Sequence, residues 1–214
     1  MLLRTCTRLL PLAFVLLAGC AGSGGPKSTP KSRDAGDVAV EGQAPTAEIP
    51  AQAMTMFEQA TSVLAAGDFV EAEFRFQEFL LQYPGFPGAH VNMAIIHAEN
   101  GNDEATRASI DAALALDPNQ PAALNQLGML LRKNGNFLEA EAAYLKAVTS
   151  SPDYALAHYN LGVLNELYLQ RLDVALQHFE AYQGLVGDDK QVEKWIADLT
   201  RRVAATQRTA NVAE

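Results

Sequence analysis

The distribution of apolar residues divides the chain of 214 residues into three segments. Residues 1–20 are mostly apolar, residues 21–52 are mostly small or polar, and the remainder mixes apolar and polar positions periodically. In the third segment apolar residues recur three, four and seven positions apart, which is the spacing of one face of an α-helix. The pattern predicts an all-α fold built from short amphipathic helices.

Turn-forming residues recur at a fixed distance in this third segment. Glycines recur every 34 residues, and prolines follow at the same period: Gly67, Gly101 and Gly135, then Pro84, Pro118 and Pro152. Glycine tolerates the positive φ that ends a helix, and proline cannot continue one. Each period is therefore predicted to hold two helices joined by a turn. One such pair cannot bury its apolar face alone, so neighbouring pairs are expected to stack.

The period and the residues around it resemble the tetratricopeptide-repeat (TPR) family. Unit 121–154 fits the family pattern best, with Leu124, Leu127, Gly128, Leu131, Ala140, Tyr144, Ala147 and Pro152. The resemblance covers residues 53–187, as units 53–86, 87–120, 121–154 and 155–187, and implies a right-handed superhelical solenoid of about four helix pairs. The fourth unit lacks the turn glycine and has one extra residue near 169–172, which predicts a different turn there.

A capping helix is predicted over residues 188–206. Its apolar residues share one helical face, which predicts that Trp195 packs in the core: Val192, Trp195, Ile196, Leu199 and Val203. Asp188 or Asp189 is suited to cap the start of this helix. Residues 207–214 show no periodicity and are expected to form a disordered tail.

The N-terminal segment has the order of a secretory signal peptide, which is predicted to be residues 1–19. Arg4 and Arg8 precede an apolar stretch, and small residues follow it. The sequence Leu-Ala-Gly-Cys at 17–20 resembles the processing site of bacterial lipoproteins. This resemblance implies that Cys20 is acylated, with palmitate among its acyl chains, and becomes the first residue of the mature protein. An ordinary signal peptide with a chance cysteine is the alternative.

The residues that follow Cys20 indicate the membrane in which the protein would be anchored. Ala21 stands where an aspartate commonly marks inner-membrane retention, so the lipoprotein resemblance implies an outer-membrane anchor facing the periplasm in a Gram-negative host. Residues 20–52 are predicted to be the lipidated cysteine and a flexible tether, because Gly, Ser, Pro and Ala dominate. Cys6 and Cys20 are the chain's two cysteines, so the helical segment holds no disulfide.

The TPR resemblance also implies a binding site. In the family the first helix of each unit lines a groove that receives an extended or helical segment of a protein partner. The groove residues implied here are Val91, Asn92, Ile95, Asn125, Gln126, Met129, Arg132, Lys133, Tyr159, Asn160, Val163 and Glu166. The amides of Asn92, Gln126 and Asn160 could hydrogen-bond a ligand backbone or could simply follow the family consensus. Arg132 and Lys133 could meet a carboxylate or form a solvated pair at a helix end.

Charge and motif content narrow the function. A net charge of −9 disfavours nucleic acid and anionic lipid as partners. The sequence has no phosphate-binding loop, nucleophile elbow or metal-ligand spacing, so no catalytic residue, metal or cofactor is predicted. We expect a non-enzymatic, outer-membrane-anchored adaptor or assembly factor for an envelope complex, similar in layout to TPR lipoproteins that act as pilotins or scaffolds. The alternatives are a self-associating structural lipoprotein and, third, a peptidoglycan-binding or enzymatic domain.

Overall fold

The computed structural model of the chain describes residues 49–213, and side-chain environments as far as residue 209. The predicted signal peptide, Cys20 and the tether up to residue 48 lie outside the described residues. The described part is helical: α1 Ala51–Ala65, α2 Phe69–Gln82, α3 Pro87–Glu99, α4 Asp103–Leu116, α5 Pro121–Lys133, α6 Phe137–Ser150, α7 Ala155–Leu167, α8 Leu172–Val186 and α9 Lys190–Ala213. Among these helices none is long and apolar enough to cross a bilayer.

The helices pack in consecutive pairs. α1 packs on α2, α3 on α4, α5 on α6 and α7 on α8, and each first helix also contacts the first helix of the next pair. Two neighbouring first helices therefore hold adjacent pairs together, as in a solenoid. The predicted all-α solenoid of four TPR helix pairs with a C-terminal helix is confirmed.

The turn inside each of the first three pairs depends on glycine. Gly67, Gly101 and Gly135 have φ of 81°, 71° and 81°, which side chains with a Cβ rarely adopt. In the fourth pair Gln170 takes a positive φ of 58° between α7 and α8. The turn in this pair does differ from the others, at the position where the repeat carries its extra residue.

Close helix contact inside the pairs depends on a glycine opposite an aromatic ring. A Cβ added to Gly128 of α5 would lie 2.4 Å from Cε1 of Tyr144 on α6. The same relationship recurs in the next pair, where a Cβ on Gly162 would lie 2.7 Å from the Phe179 ring. The rings of Tyr144 and Phe179 are fully or almost fully buried.

The repeat array has its own core. The described clusters of buried apolar residues begin at Ala53 and end at Leu199, and Pro50–Glu214 forms one compact unit. A stack of four pairs exceeds the three or so that a repeat array needs for stability. We conclude that residues 50–214 fold without the preceding segment.

Two predicted boundaries differ from the structure. α1 begins at Ala51, so the first repeat starts inside the predicted tether of 20–52. α9 continues to Ala213, beyond the predicted end of the cap at 206 and through the predicted disordered tail of 207–214. Residues 204–213 contain neither glycine nor proline, and their Ala, Gln and Arg residues favour helix even without a periodic apolar face.

The C-terminal helix closes the core as its sequence predicted. The carboxylate of Asp189 accepts hydrogen bonds from the backbone N–H of Gln191 and Val192 at 2.9 and 3.2 Å. Trp195 packs against Phe179, with ring centroids 5.5 Å apart. α9 thereby covers the apolar end of the fourth helix pair.

Candidate protein-binding site

A cavity of about 510 Å³ opens near the C-terminal ends of α3 and α5. Its walls come from three consecutive repeats, so the stacking of the repeats creates it. The lining residues are Ala98, Glu99, Asp103, Thr106, Gln126, Met129, Leu130, Arg132, Lys133, Gly135, Phe137 and Tyr168. This mixture of apolar walls and a few charged or amide groups is typical of sites that bind a peptide side chain or a small ligand.

Four of the predicted groove residues line this cavity: Gln126, Met129, Arg132 and Lys133. Met129 is partly exposed, and its flexible thioether suits an adaptable contact. The ammonium of Lys133 forms an ion pair with the carboxylate of Asp103, which joins α5 to α4 at the cavity edge. The cavity therefore combines an adaptable apolar side chain, an amide and one internally paired cation.

Arg132 brings a second positive charge to this cavity. Its Nη1 atom is buried and has no hydrogen-bond partner among the described residues. Burial raises the pKa of Tyr144 to about 12, and the charge of Arg132 opposes that shift. The guanidinium thus lies within electrostatic reach of the interface between α5 and α6.

Two aromatic residues of the cavity were not predicted from the sequence. Phe137 opens α6, and Tyr168 directly follows α7, with ring centroids 4.7 Å apart. Tyr168 belongs to the irregular turn of the fourth repeat. The extra residue in that repeat was the available sequence signal, but it did not indicate which side chain would reach the neighbouring repeat.

The side-chain amide of Asn160, which was a candidate for binding a ligand backbone, forms a hydrogen bond within the protein. Nδ2 of Asn160 donates a hydrogen bond of 2.9 Å to Oδ1 of Asn125, and both side chains are buried. Nδ2 of Asn125 lies 3.7 Å from the sulfur of Met129. Asn125 and Asn160 therefore connect two first helices, and their side chains are not open to a ligand backbone.

The predicted groove residues of the second repeat lie mostly between repeats. Val91 is buried against Ala113 and Ala123, and Ile95 packs on the same cluster. Asn92 is half-buried on α3. Val91 and Ile95 are consequently packing residues, because the next repeat covers the side of α3 that carries them.

Three predicted groove residues of the fourth repeat contact the capping helix or its core. Tyr159 lies 6.0 Å from Trp195, measured between ring centroids, and Val163 packs on the same cluster. Oε1 of Glu166 accepts a hydrogen bond of 2.7 Å from Nη1 of Arg202. The sequence predicted α9 only as a capping helix at the end of the array, whereas α9 also contacts groove positions of α7.

Two histidine side chains, His158 of α7 and His178 of α8, contact each other. Nδ1 of His158 lies 3.2 Å from Nδ1 of His178, and Nε2 of His158 lies 3.2 Å from the Pro152 carbonyl oxygen. Within residues 49–213 no group of three or more His, Cys, Asp or Glu side chains is placed to hold a metal ion. The histidine pair therefore joins α7 to α8.

Comparison with family models agrees with this architecture. Two models, both described as tetratricopeptide repeat, match residues 63–130 and 125–190. The chain carries tetratricopeptide repeats. The matched residues run from the first helix pair to the start of α9, so the TPR segment includes the cavity and the histidine pair.

Curated relatives match parts of the TPR segment. The human protein O-mannosyl-transferase TMTC2 is 44% identical over 59 residues, which are 28% of this chain and 7% of that protein. The photosystem I assembly protein Ycf3 of Synechococcus sp. (strain WH7803) is 31% identical over 93 residues, or 42% of this chain and 54% of Ycf3. The chain thus spans about half of Ycf3 and a small fraction of TMTC2.

Solved structures share the fold. The Pseudomonas aeruginosa PilF structure has a TM-score of 0.64 at 22% identity, covering 72% of this chain and 69% of PilF. The first TPR domain of Spaghetti (RPAP3), bound to the HSP90 peptide SRMEEVD, has a TM-score of 0.51 at 16% identity. That match covers 55% of this chain and 95% of the RPAP3 domain. At these identities the likeness shows the TPR fold alone.

Proposed function

We propose that the protein is a non-enzymatic adaptor or assembly factor that an acylated Cys20 anchors to the periplasmic face of the outer membrane. The TPR array would hold a polypeptide segment of an envelope complex in the cavity between α3, α5 and Tyr168. The observation that carries the binding role is this cavity, which three repeats build together and which presents Met129 and Arg132. An array of this kind positions partners by shape and needs no catalytic group.

The fold relatives support an assembly role without naming the partner. Ycf3 is named as an assembly protein, and the RPAP3 domain was solved with a bound peptide. TMTC2 is named as a transferase, but the matched residues are 7% of its length, so the match gives little support to an enzyme. A polypeptide partner is therefore the ligand class that we propose for this chain.

The lipoprotein part of the proposal rests on the residues before the array. The Leu-Ala-Gly-Cys sequence at 17–20 supports processing and acylation at Cys20, and two or three acyl chains hold a protein on a membrane firmly. The test compares Cys20→Ala with Cys6→Ala, because the chain offers a second cysteine as a matched control. We expect only Cys20→Ala to lose palmitate labelling and to leave the outer-membrane fraction. Full labelling of Cys20→Ala would refute the anchor.

The cavity is tested by crosslinking in intact cells. A photoreactive amino acid placed at Met129 should form an adduct with an envelope protein, because this side chain is exposed and lines the cavity. The same amino acid at Leu138, which is exposed on α6, is the control and should not form that adduct. Adducts only between copies of this chain would favour the self-associating structural lipoprotein instead.

A further inference from the structure

The outer face of α2 carries a row of exposed apolar side chains. Val70, Phe74 and Leu81 keep 82%, 62% and 86% of their surface exposed. Their separations of four and seven residues place them within one narrow face of the helix. We call these three side chains the α2 stripe. Removing large apolar side chains from water is favourable, so a partner that covered this stripe would gain binding free energy.

Comparison between the repeats shows that the TPR fold does not require this stripe. The equivalent positions follow from the period of 34 residues and the one extra residue of the fourth repeat. They hold Glu104, Leu138 and Asp173 in place of Val70, Ala108, Ala142 and Gln177 in place of Phe74, and Ala115, Thr149 and Gly184 in place of Leu81. Leu138 is the one large apolar residue among these nine. The α2 stripe is therefore a specific property of the first repeat.

Acidic groups and a shallow cleft lie beside the α2 stripe. Glu78 is on the same side of α2 as Phe74, and it also lines a cleft of about 230 Å³ between α1 and α2, with Met56 and Arg75. Arg75 forms an ion pair with Glu71 on the same helix. α2 carries three glutamates and one arginine, so the surface around the stripe is negative.

We propose that the α2 stripe is a docking surface for an amphipathic helical segment of a partner protein, whose apolar ridge is flanked by Lys or Arg. The apolar ridge would cover Val70, Phe74 and Leu81, and a basic side chain would meet Glu78 at the cleft. Helical segments bind in this manner through apolar residues spaced three, four and seven positions apart. The complementary charges favour the correct register and speed association.

A second copy of this chain and a lipid bilayer fit the α2 stripe less well than a basic helix does. A second copy would bring the negative α2 surfaces of both molecules together, and like charges facing each other oppose association. A bilayer with anionic lipids would repel the same glutamates. A basic helix gains from both the stripe and the charge.

This surface is distinct from the cavity of the proposed function. The cavity is lined by residues 98–168 of the later repeats, whereas the α2 stripe belongs to residues 70–81. One chain would then hold two polypeptides at once. Binding at the α2 stripe requires neither the cavity nor the lipid anchor.

The test uses residues 50–214, which fold on their own, and two labelled synthetic peptides of about 18 residues, long enough to form a helix. One peptide has a leucine ridge flanked by lysines, and the other has glutamates in place of the lysines. Fluorescence anisotropy measures binding to wild type, to a Phe74→Gln, Leu81→Gln variant and to a Leu138→Gln, Leu145→Gln variant. The second variant is a matched control, because its two leucines are exposed on α6.

We expect the lysine peptide to bind wild type and the α6 variant equally, and to bind the α2 variant about tenfold or more weakly. The glutamate peptide should not bind. Melting curves should be unchanged, since the substituted side chains are exposed. Equal weakening by both variants, or equal binding of both peptides, would overturn the proposal. So would α2-dependent capture by phosphatidylethanolamine vesicles, which assigns the stripe to lipid, or an α2-dependent dimer in sedimentation, which assigns it to a second copy.

Discussion

Asn160 and Asn125 join the third and fourth repeats through a buried hydrogen bond of 2.9 Å between their side-chain amides. The bond lies between α5 and α7, the first helices of two adjacent pairs. A buried amide oxygen is tolerated among apolar surfaces when it has a donor, and Nδ2 of Asn160 supplies that donor to Oδ1 of Asn125. The bond therefore connects two adjacent repeats inside their buried contact.

The first prediction concerns this amide pair. Asn160→Ala leaves Oδ1 of Asn125 buried without its donor, which should lower the free energy of unfolding by about 1–3 kcal/mol. Urea unfolding of residues 50–214 measures the loss. Gln126→Ala is the control, because Gln126 occupies the equivalent repeat position but lines the cavity, and it should stay within about 0.5 kcal/mol of wild type. Equal losses in the two variants would contradict this role for the Asn160–Asn125 bond.

The second prediction contrasts two helical glycines. Gly128→Ala places a Cβ 2.4 Å from Cε1 of the buried Tyr144 ring, so the variant should lose about 1–3 kcal/mol of stability through overpacking. A Cβ on Gly184 of α8 meets nothing within 4 Å. Gly184→Ala should therefore stabilise the protein by about 0.4–1 kcal/mol, because alanine restricts the unfolded chain. Thermal melts should move in opposite directions, and a shift of the same sign in both variants would be inconsistent with this packing.

Gly128 and Gly67 show how far the sequence predicts the fold. Gly128 and Tyr144 were among the residues of unit 121–154 that fit the TPR pattern, and the structure places the two against each other between α5 and α6. Gly67 likewise marked a turn. These positions are predictable because a backbone conformation or a close approach excludes nearly all other residue types.

The candidate site was less predictable for a physical reason. The side of a first helix that faces a partner also faces the next repeat, and a sequence pattern does not separate the two. Asn125, Tyr159 and Glu166 were expected in the groove, but they contact α7, α9 or the core beneath α9. Tyr168 lines the cavity but lies in an irregular turn, where no periodic pattern indicates the direction of a side chain.

The third prediction concerns high pH. Burial raises the pKa of Tyr144 and of Tyr154 from 10.0 to about 12. The unfolded chain then loses its phenolic protons first, so stability is fully present below about pH 10 and falls as the pH rises toward about 12. At about pH 11 the loss should be about 1.4 kcal/mol for each tyrosine.

Urea unfolding at a series of pH values measures this loss. A variant with Tyr144→Phe and Tyr154→Phe should keep most of its stability at high pH, because neither phenylalanine can ionise. The Tyr144 hydroxyl has no hydrogen-bond partner among the described residues, so removing it should cost little at neutral pH. An unchanged pH profile in this variant would show that other groups cause the loss.

The fourth prediction concerns the histidine pair at low pH. Burial lowers the pKa of His178, the charge of the adjacent His158 lowers it further, and Glu141 opposes both effects while pairing with Arg171. A histidine pKa below its unfolded value of 6.5 gives stability that is present above about pH 6.5 and lost as the pH falls through the folded-state pKa. His178→Gln should reduce this acid-dependent loss of unfolding free energy. Equal slopes in wild type and His178→Gln would disprove the coupling.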